Sequence, residues 1–124
     1  MNASVFRIET VCIDCADAHE LADFYGRLLG WEIAISEPEF VLMRDPAGGT
    51  GLSFQAGPNY RPPTWPERAD TQDKMLHLDI KVEDLDAAVE HALACGARLA
   101  EHQPQERVRV MLDPAGHPFC LFLD

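Results

Sequence analysis

Short runs of alternating apolar and polar residues occur in the same order twice along this chain. In a Val- and Ile-rich run over 5–14, Val11 and Ile13 alternate with Thr10, Cys12 and Asp14. In a second run over 75–82, Leu76, Leu78 and Ile80 alternate with His77 and Asp79. A period of two predicts strands with one face buried. An aspartate follows each run, Asp17 or Asp84, and apolar residues then recur at helical spacing. The first series is Leu21, Phe24, Tyr25, Leu28 and Leu29, ended by Gly30; the second is Leu85, Ala88, Val89, Ala92 and Leu93, ended by Gly96. Aspartate satisfies free N–H groups at a helix start, and glycine supplies the left-handed residue that closes one. Further strands are predicted at 31–35, 40–44 and 51–55, and again at 98–101, 107–112 and 118–122. The last two of each set flank an Asp-Pro-Ala-Gly turn, at 45–48 and at 113–116.

The pattern predicts a single α+β domain over 1–124 made of two tandem βαβββ modules, about 1–56 and about 75–124. The connector, 57–74, holds Pro58, Pro62, Pro63 and Pro66, which exclude a regular helix or a central strand. Modules this small bury too little surface to stand alone.

Strand parity separates a core face from a face free for chemistry. The aliphatic sets belong under the helices. The opposite sets are Thr10 and Cys12, Ser53 and Gln55, His77 and Asp79, Arg109 and Met111, and Cys120 and Phe122. With Trp65 of the connector they are the expected lining of a small-molecule site. His77 suits a general base or a ligand-binding donor, because imidazole titrates near neutral pH; alternatively it is hydrogen-bonded to Asp79. Arg109 suits a ligand carboxylate or phosphate through its fork of donors, or a place at the rim. Trp65 fits a lid, a dimer contact or an anchor for the connector. Cys12 and Cys15 have redox-type spacing, but strand parity points them to opposite faces, as two unlinked thiols.

Composition narrows the partners. Of 124 residues, 21 are acidic and 10 basic, a formal net charge of -11. Nucleic acid is excluded as a partner, since phosphate contacts need clustered Lys and Arg. An anionic bilayer would repel the chain. No apolar run is long enough to span a membrane, and the N-terminus does not read as a signal peptide. A cytoplasmic protein with its four cysteines, Cys12, Cys15, Cys95 and Cys120, as free thiols is expected.

Several stretches resemble the vicinal oxygen chelate superfamily (glyoxalase, bleomycin-resistance and dioxygenase proteins). They are Phe24-Tyr25 with Leu28-Leu29-Gly30-Trp31, both Asp-Pro-Ala-Gly turns, Leu76-His77-Leu78-Asp79-Ile80 followed by Asp84-Leu85-Asp86-Ala87-Ala88, and Gly96-Ala97-Arg98-Leu99. The segment from Tyr60 to Pro66 and the ending from Asp113 to Cys120 look like its glyoxalase-like subgroup. The resemblance implies two modules whose sheets form a cup with the helices outside, and a homodimer. It also implies His or Glu metal ligands on the first and last strand of each module. Here those positions carry Thr10, Ser53 or Gln55, His77 and Cys120, so one family ligand, His77, remains. Zinc and iron need about three good donors; no resident cofactor is expected, and a divalent metal, if bound, would use His77 with Cys12 or Cys120. The expected function is binding of a hydrophobic or aromatic metabolite or antibiotic in the cup. The alternative is a glyoxalase-type lyase or isomerase, or another metal-dependent enzyme, using His77.

Overall fold

The computed structural model describes residues 5–124; the first four residues of the predicted first module lie outside the described residues. The first module comprises β1 (Thr10–Cys15), α1 (Ala18–Leu29), β2 (Ile33–Glu37), β3 (Phe40–Met43) and β4 (Gly51–Ala56). The second comprises β5 (Leu78–Lys81), α2 (Leu85–Cys95), β6 (Arg98–Leu99), β7 (Val108–Leu112) and β8 (Pro118–Phe122). Each module is therefore βαβββ, and the α+β class is as expected. The two four-stranded sheets have the same order, β1-β4-β3-β2 and β5-β8-β7-β6. In each, the first strand runs parallel to the last and the other pairs are antiparallel.

Both helices start and stop where the sequence signals lie. The Asp17 carboxylate accepts from the His19 and Glu20 amides, and the Asp84 carboxylate from that of Ala87. Gly30 and Gly96 close the helices at φ 72° and 117°, a region where a Cβ is strained. The two turns also match: Asp45 accepts from the Ala47 amide at 2.8 Å and Asp113 from that of Ala115 at 3.0 Å.

One core serves both modules. Leu21, Phe24 and Tyr25 of α1 meet Ile13, Val41, Met43 and Phe54 of the first sheet and Met111, Phe119 and Leu121 of the second. The Tyr25 ring stacks on Phe54 at 5.7 Å and meets Phe119 edge-on at 6.0 Å. The helices also join directly, through His91 Nε2 donating to the Leu28 carbonyl at 3.1 Å.

Two expectations need correction. The opening strands are shorter than the alternation suggested, beginning at Thr10 and Leu78 rather than at 5 and 75. The ladder partners of β1 and β5 start at Gly51 and Phe119, so the preceding residues have no strand beside them. Val5, Phe6, Ile8, Met75 and Leu76 consequently stand exposed. The second correction concerns the faces of β7. Met111 lies opposite Phe119 and Arg109 opposite Leu121, and residues directly opposite in an antiparallel pair share a face. Met111 and Arg109 therefore lie on the helix side, with Met111 fully buried in the core. Val110, opposite Cys120, takes the other face.

Candidate functional site

The sheet faces turned away from the helices bring the candidate residues together in two groups. On the first sheet Cys12 sits beside Ser53, and Asp14 beside Gln55. The Thr10 and Ser53 hydroxyls are 2.9 Å apart, and Ser53 is buried. The Gln55 amide donates to the Glu39 carbonyl at 3.1 Å, which leaves its oxygen side free for another donor.

On the second sheet Asp79 sits beside Cys120. His77 immediately precedes β5 and brings Nε2 to 3.1 Å from Asp79 Oδ1. The donor atoms of His77, Asp79 and Cys120 lie within 4.8 Å of one another. Burial, and then the charge of Asp79, push the Cys120 thiol up, so its sulfur is not an activated nucleophile. Phe122 lies beside Lys81 and opposite Val108 on this sheet.

A cavity of about 660 Å³ opens between the first sheet and the connector, within the range typical of small-molecule sites. Cys12, Asp14 and Gln55 form part of its floor, and Tyr60, Arg61, Met75 and Leu76 part of its walls. Of the residues expected to line a site, Cys12 and Gln55 border this cavity. His77, Asp79 and Cys120 form their own group on the second module, and Arg109 and Met111 face the helices. Arg109 donates at 2.9 Å to the Glu106 and Val108 carbonyls. Trp65 is an anchor for the connector: its indole donates to the His102 carbonyl at 3.1 Å, and the Lys74 ammonium stands 5.2 Å from its ring. The Lys74 ammonium also pairs with Glu67.

The cavity is braced by a network that no local pattern announces. Asp113, fully buried, accepts from the Tyr25 hydroxyl at 2.7 Å and from the backbone amides of Ala115 and His117. His117 places Nδ1 2.9 Å from the same carboxylate and Nε2 2.8 Å from the Asp14 carbonyl. Tyr60 donates to the Ala115 carbonyl at 2.7 Å. The Asp113 carboxylate thus joins the first helix to the second turn, while His117 carries the link on to the first strand and Tyr60 ties in the connector; His117 also borders the cavity. The available signal was the repeated turn, whose second copy places His117 four residues after Asp113.

Buried acids of this network tie stability to alkaline pH. Cys15, fully buried, is pushed up from 9.0 to about 11 by burial and then by the charges of Asp113, Asp17 and Asp14. This also removes the redox reading of Cys12 and Cys15, which needs a lowered thiol; the four cysteines are free. Burial, followed by Asp113, pushes the Tyr25 and Tyr60 hydroxyls up as well. A raised pKa means that the fold favours the protonated form. The stabilisation is complete below the unfolded values and is lost as pH rises through the folded ones. Urea unfolding should therefore show stability falling from about pH 9 upward, by about 1.4 kcal/mol per pH unit for each proton involved. Cys15→Ala should remove its share between pH 9 and 11; an unchanged slope would show that this thiol is not held protonated.

The metal positions implied by the family resemblance do not fit a metal as a set. Thr10 and Ser53 offer neutral hydroxyls that hydrogen-bond to each other, and the Gln55 amide nitrogen is committed to the backbone.

The fold is shared with solved structures. A glyoxalase/bleomycin resistance protein/dioxygenase family enzyme from Burkholderia phytofirmans PsJN matches with a TM-score of 0.72 and 19% identity, over 95% of this chain and 98% of that one. A glyoxalase-related enzyme from Fulvimarina pelagi matches with a TM-score of 0.67 and 18% identity, over 97% and 89%. TnmS3, an antibiotic-binding protein from Streptomyces sp. CB03234, matches with a TM-score of 0.63 and 16% identity, over 98% of each chain. Identities this low show the fold alone. A search of curated proteins finds no match. The glyoxalase-like domain model matches residues 10–122, nearly the whole chain. With two βαβββ modules in the same order, the chain belongs to the glyoxalase-like domain family of the vicinal oxygen chelate superfamily.

Proposed function

We propose that this protein binds a small hydrophobic or aromatic molecule, a metabolite or an antibiotic, in the cavity beside the first sheet, without the metal set that the family resemblance implies. The observation that carries this reading is the cavity itself. It has apolar and aromatic walls from Tyr60, Met75 and Leu76, and the side-chain amide of Gln55 and the guanidinium of Arg61 give it polar contacts. Apolar walls with a few placed polar groups are what small organic ligands require. TnmS3 shows that the same fold can serve an antibiotic-binding protein.

Thermal-shift screening of aromatic metabolites and antibiotics tests the reading. A compound at about a hundred times its Kd should stabilise the fold by about 2.7 kcal/mol. Cys12→Trp, which places an indole over the floor, should abolish that shift while leaving the unliganded protein folded. A shift that survives Cys12→Trp, or a screen without any stabilising class, would sink the proposal.

The His77, Asp79 and Cys120 group supports a second reading, a glyoxalase-type lyase or isomerase with His77 as base. Consumption of a bound compound by the wild-type protein, lost in His77→Ala, distinguishes it from binding alone.

A further inference from the structure

We propose that the molecule bound in the cavity is an aromatic carboxylic acid and that Arg61 receives its carboxylate. This assignment rests on the cavity reading above, and adds the charge of the ligand and the residue that selects it.

Arg61 is the cation left free at the cavity. Among the described residues its guanidinium enters no ion pair. Lys74, the other lysine or arginine on the lining, is paired with Glu67 and stands over the Trp65 ring. Arg109, the arginine that strand parity offered for a ligand carboxylate, lies on the helix side and donates to the Glu106 and Val108 carbonyls. The backbone around Arg61 is held on both sides. Tyr60 donates to the Ala115 carbonyl at 2.7 Å, and Pro62 stands so near Gly116 that a Cβ added there would lie 3.0 Å from the proline ring. Two anchors to the second turn thus fix where the guanidinium starts, which lowers the ordering cost of binding through it.

The surroundings set the rest of the ligand. Tyr60, Met75 and Leu76 offer an aromatic and apolar wall in the same cavity, and a planar carboxylate matches the guanidinium's fork of donors. Asp14 and Asp73 also border the cavity, and the chain carries a formal net charge of -11. A phosphate dianion meets more repulsion there than a singly charged carboxylate. The same repulsion makes an anion depend on Arg61, because without it the two aspartates oppose the ligand.

The test uses the full chain and calorimetry at neutral pH, with benzoate, naphthoate and anthracene carboxylate, each beside its primary amide and its arylmethylamine. At least one acid should bind about ten- to a hundredfold more tightly than its amide, as expected of hydrogen bonds to a charged group. Arg61→Gln should erase that preference by weakening the acid alone, and Arg61→Lys, a charge without the fork, should keep part of it. Arg68→Gln alters the connector's charge at a residue that does not border the cavity, and should leave the preference intact. Naphthyl phosphate should bind more weakly than naphthoate; tighter binding would overturn the carboxylate assignment. Circular dichroism confirms that each variant is folded. Amides or amines that bind as tightly as the acids, and are excluded by Cys12→Trp, would overturn the proposal and leave the cavity reading standing. An acid preference that survives Arg61→Gln, or falls equally in Arg68→Gln, would do the same. Panels in which no acid binds overturn the proposal, while binding unchanged in Cys12→Trp would sink the cavity reading with it.

Discussion

Replacing Asp113 by alanine is expected to cost about 3–5 kcal/mol of stability, the loss typical when one partner of a buried charge-assisted network is removed. The carboxylate is fully buried and serves four donors: the Tyr25 hydroxyl, the His117 ring and two backbone amides. Alanine leaves all four without their acceptor, and Tyr25 is itself buried, with its ring packed against those of Phe24, Phe54 and Phe119. The residues concerned come from α1 and the β7–β8 turn, so the loss would loosen the seam between modules. Asp113→Asn retains an acceptor for Tyr25 but turns two donors toward its neighbours, and should cost less. Tyr25→Phe removes a single bond to a charged acceptor and should cost about 1.5–3 kcal/mol. Urea melts of the three variants should rank alanine above asparagine and phenylalanine. A loss under about 1 kcal/mol for Asp113→Ala, below even a typical single hydrogen bond, would show that the network is not held in solution. The cavity variants gain a control from this series, because His117 touches both the network and the cavity.

Phe24→Ala should be nearly as severe, about 3–5 kcal/mol, the usual cost of deleting a buried aromatic ring. Phe24 is fully buried. Its ring lies 4.8 Å from that of Tyr25 and 5.9 Å from that of Phe119 in the second sheet, and it packs close to Gly96 at the end of α2. Truncation opens a cavity where the two modules touch. For a chain of this size the melting temperature should fall by about 10–20 °C. The transition should stay single, because neither module has a core of its own. Calorimetric and van't Hoff enthalpies that agree before and after the substitution would bear this out. Two separated transitions would show instead that the modules fold independently.

The helices were legible in sequence to the residue. Asp17, Gly30, Asp84 and Gly96 are local devices, and each acts on backbone groups within a few positions of itself. The paired turns were legible for the same reason. β7 was not, because Val108, Val110 and Leu112 are as apolar as a core face should be, while Arg109 looks like a surface residue. When both faces of a strand carry apolar residues, alternation defines two sets without saying which is inside. The opposing strand decides, and Phe119 draws Met111 into the core.

The candidate site divides along the same line. Parity and the internal repeat, which need only the chain itself, put Cys12, Gln55, His77, Asp79 and Cys120 together as the lining of one site, whereas the structure places Cys12 and Gln55 at the cavity and His77, Asp79 and Cys120 in a separate group. The sequence could not show that the connector returns over the first sheet to enclose a cavity, with Tyr60, Arg61 and Leu76 among its walls. Nor could it join Tyr25 to Asp113, 88 positions away. By itself, then, the sequence determined two βαβββ modules, their caps and turns, and the departures from the family's metal ligands, because short-range chemistry and periodicity are written in neighbouring residues. Only the tertiary structure decided which face of β7 is buried, where the cavity lies and which buried carboxylate pins the halves together. Those depend on strand register and on long-range packing, which bring distant residues into contact without leaving a local mark.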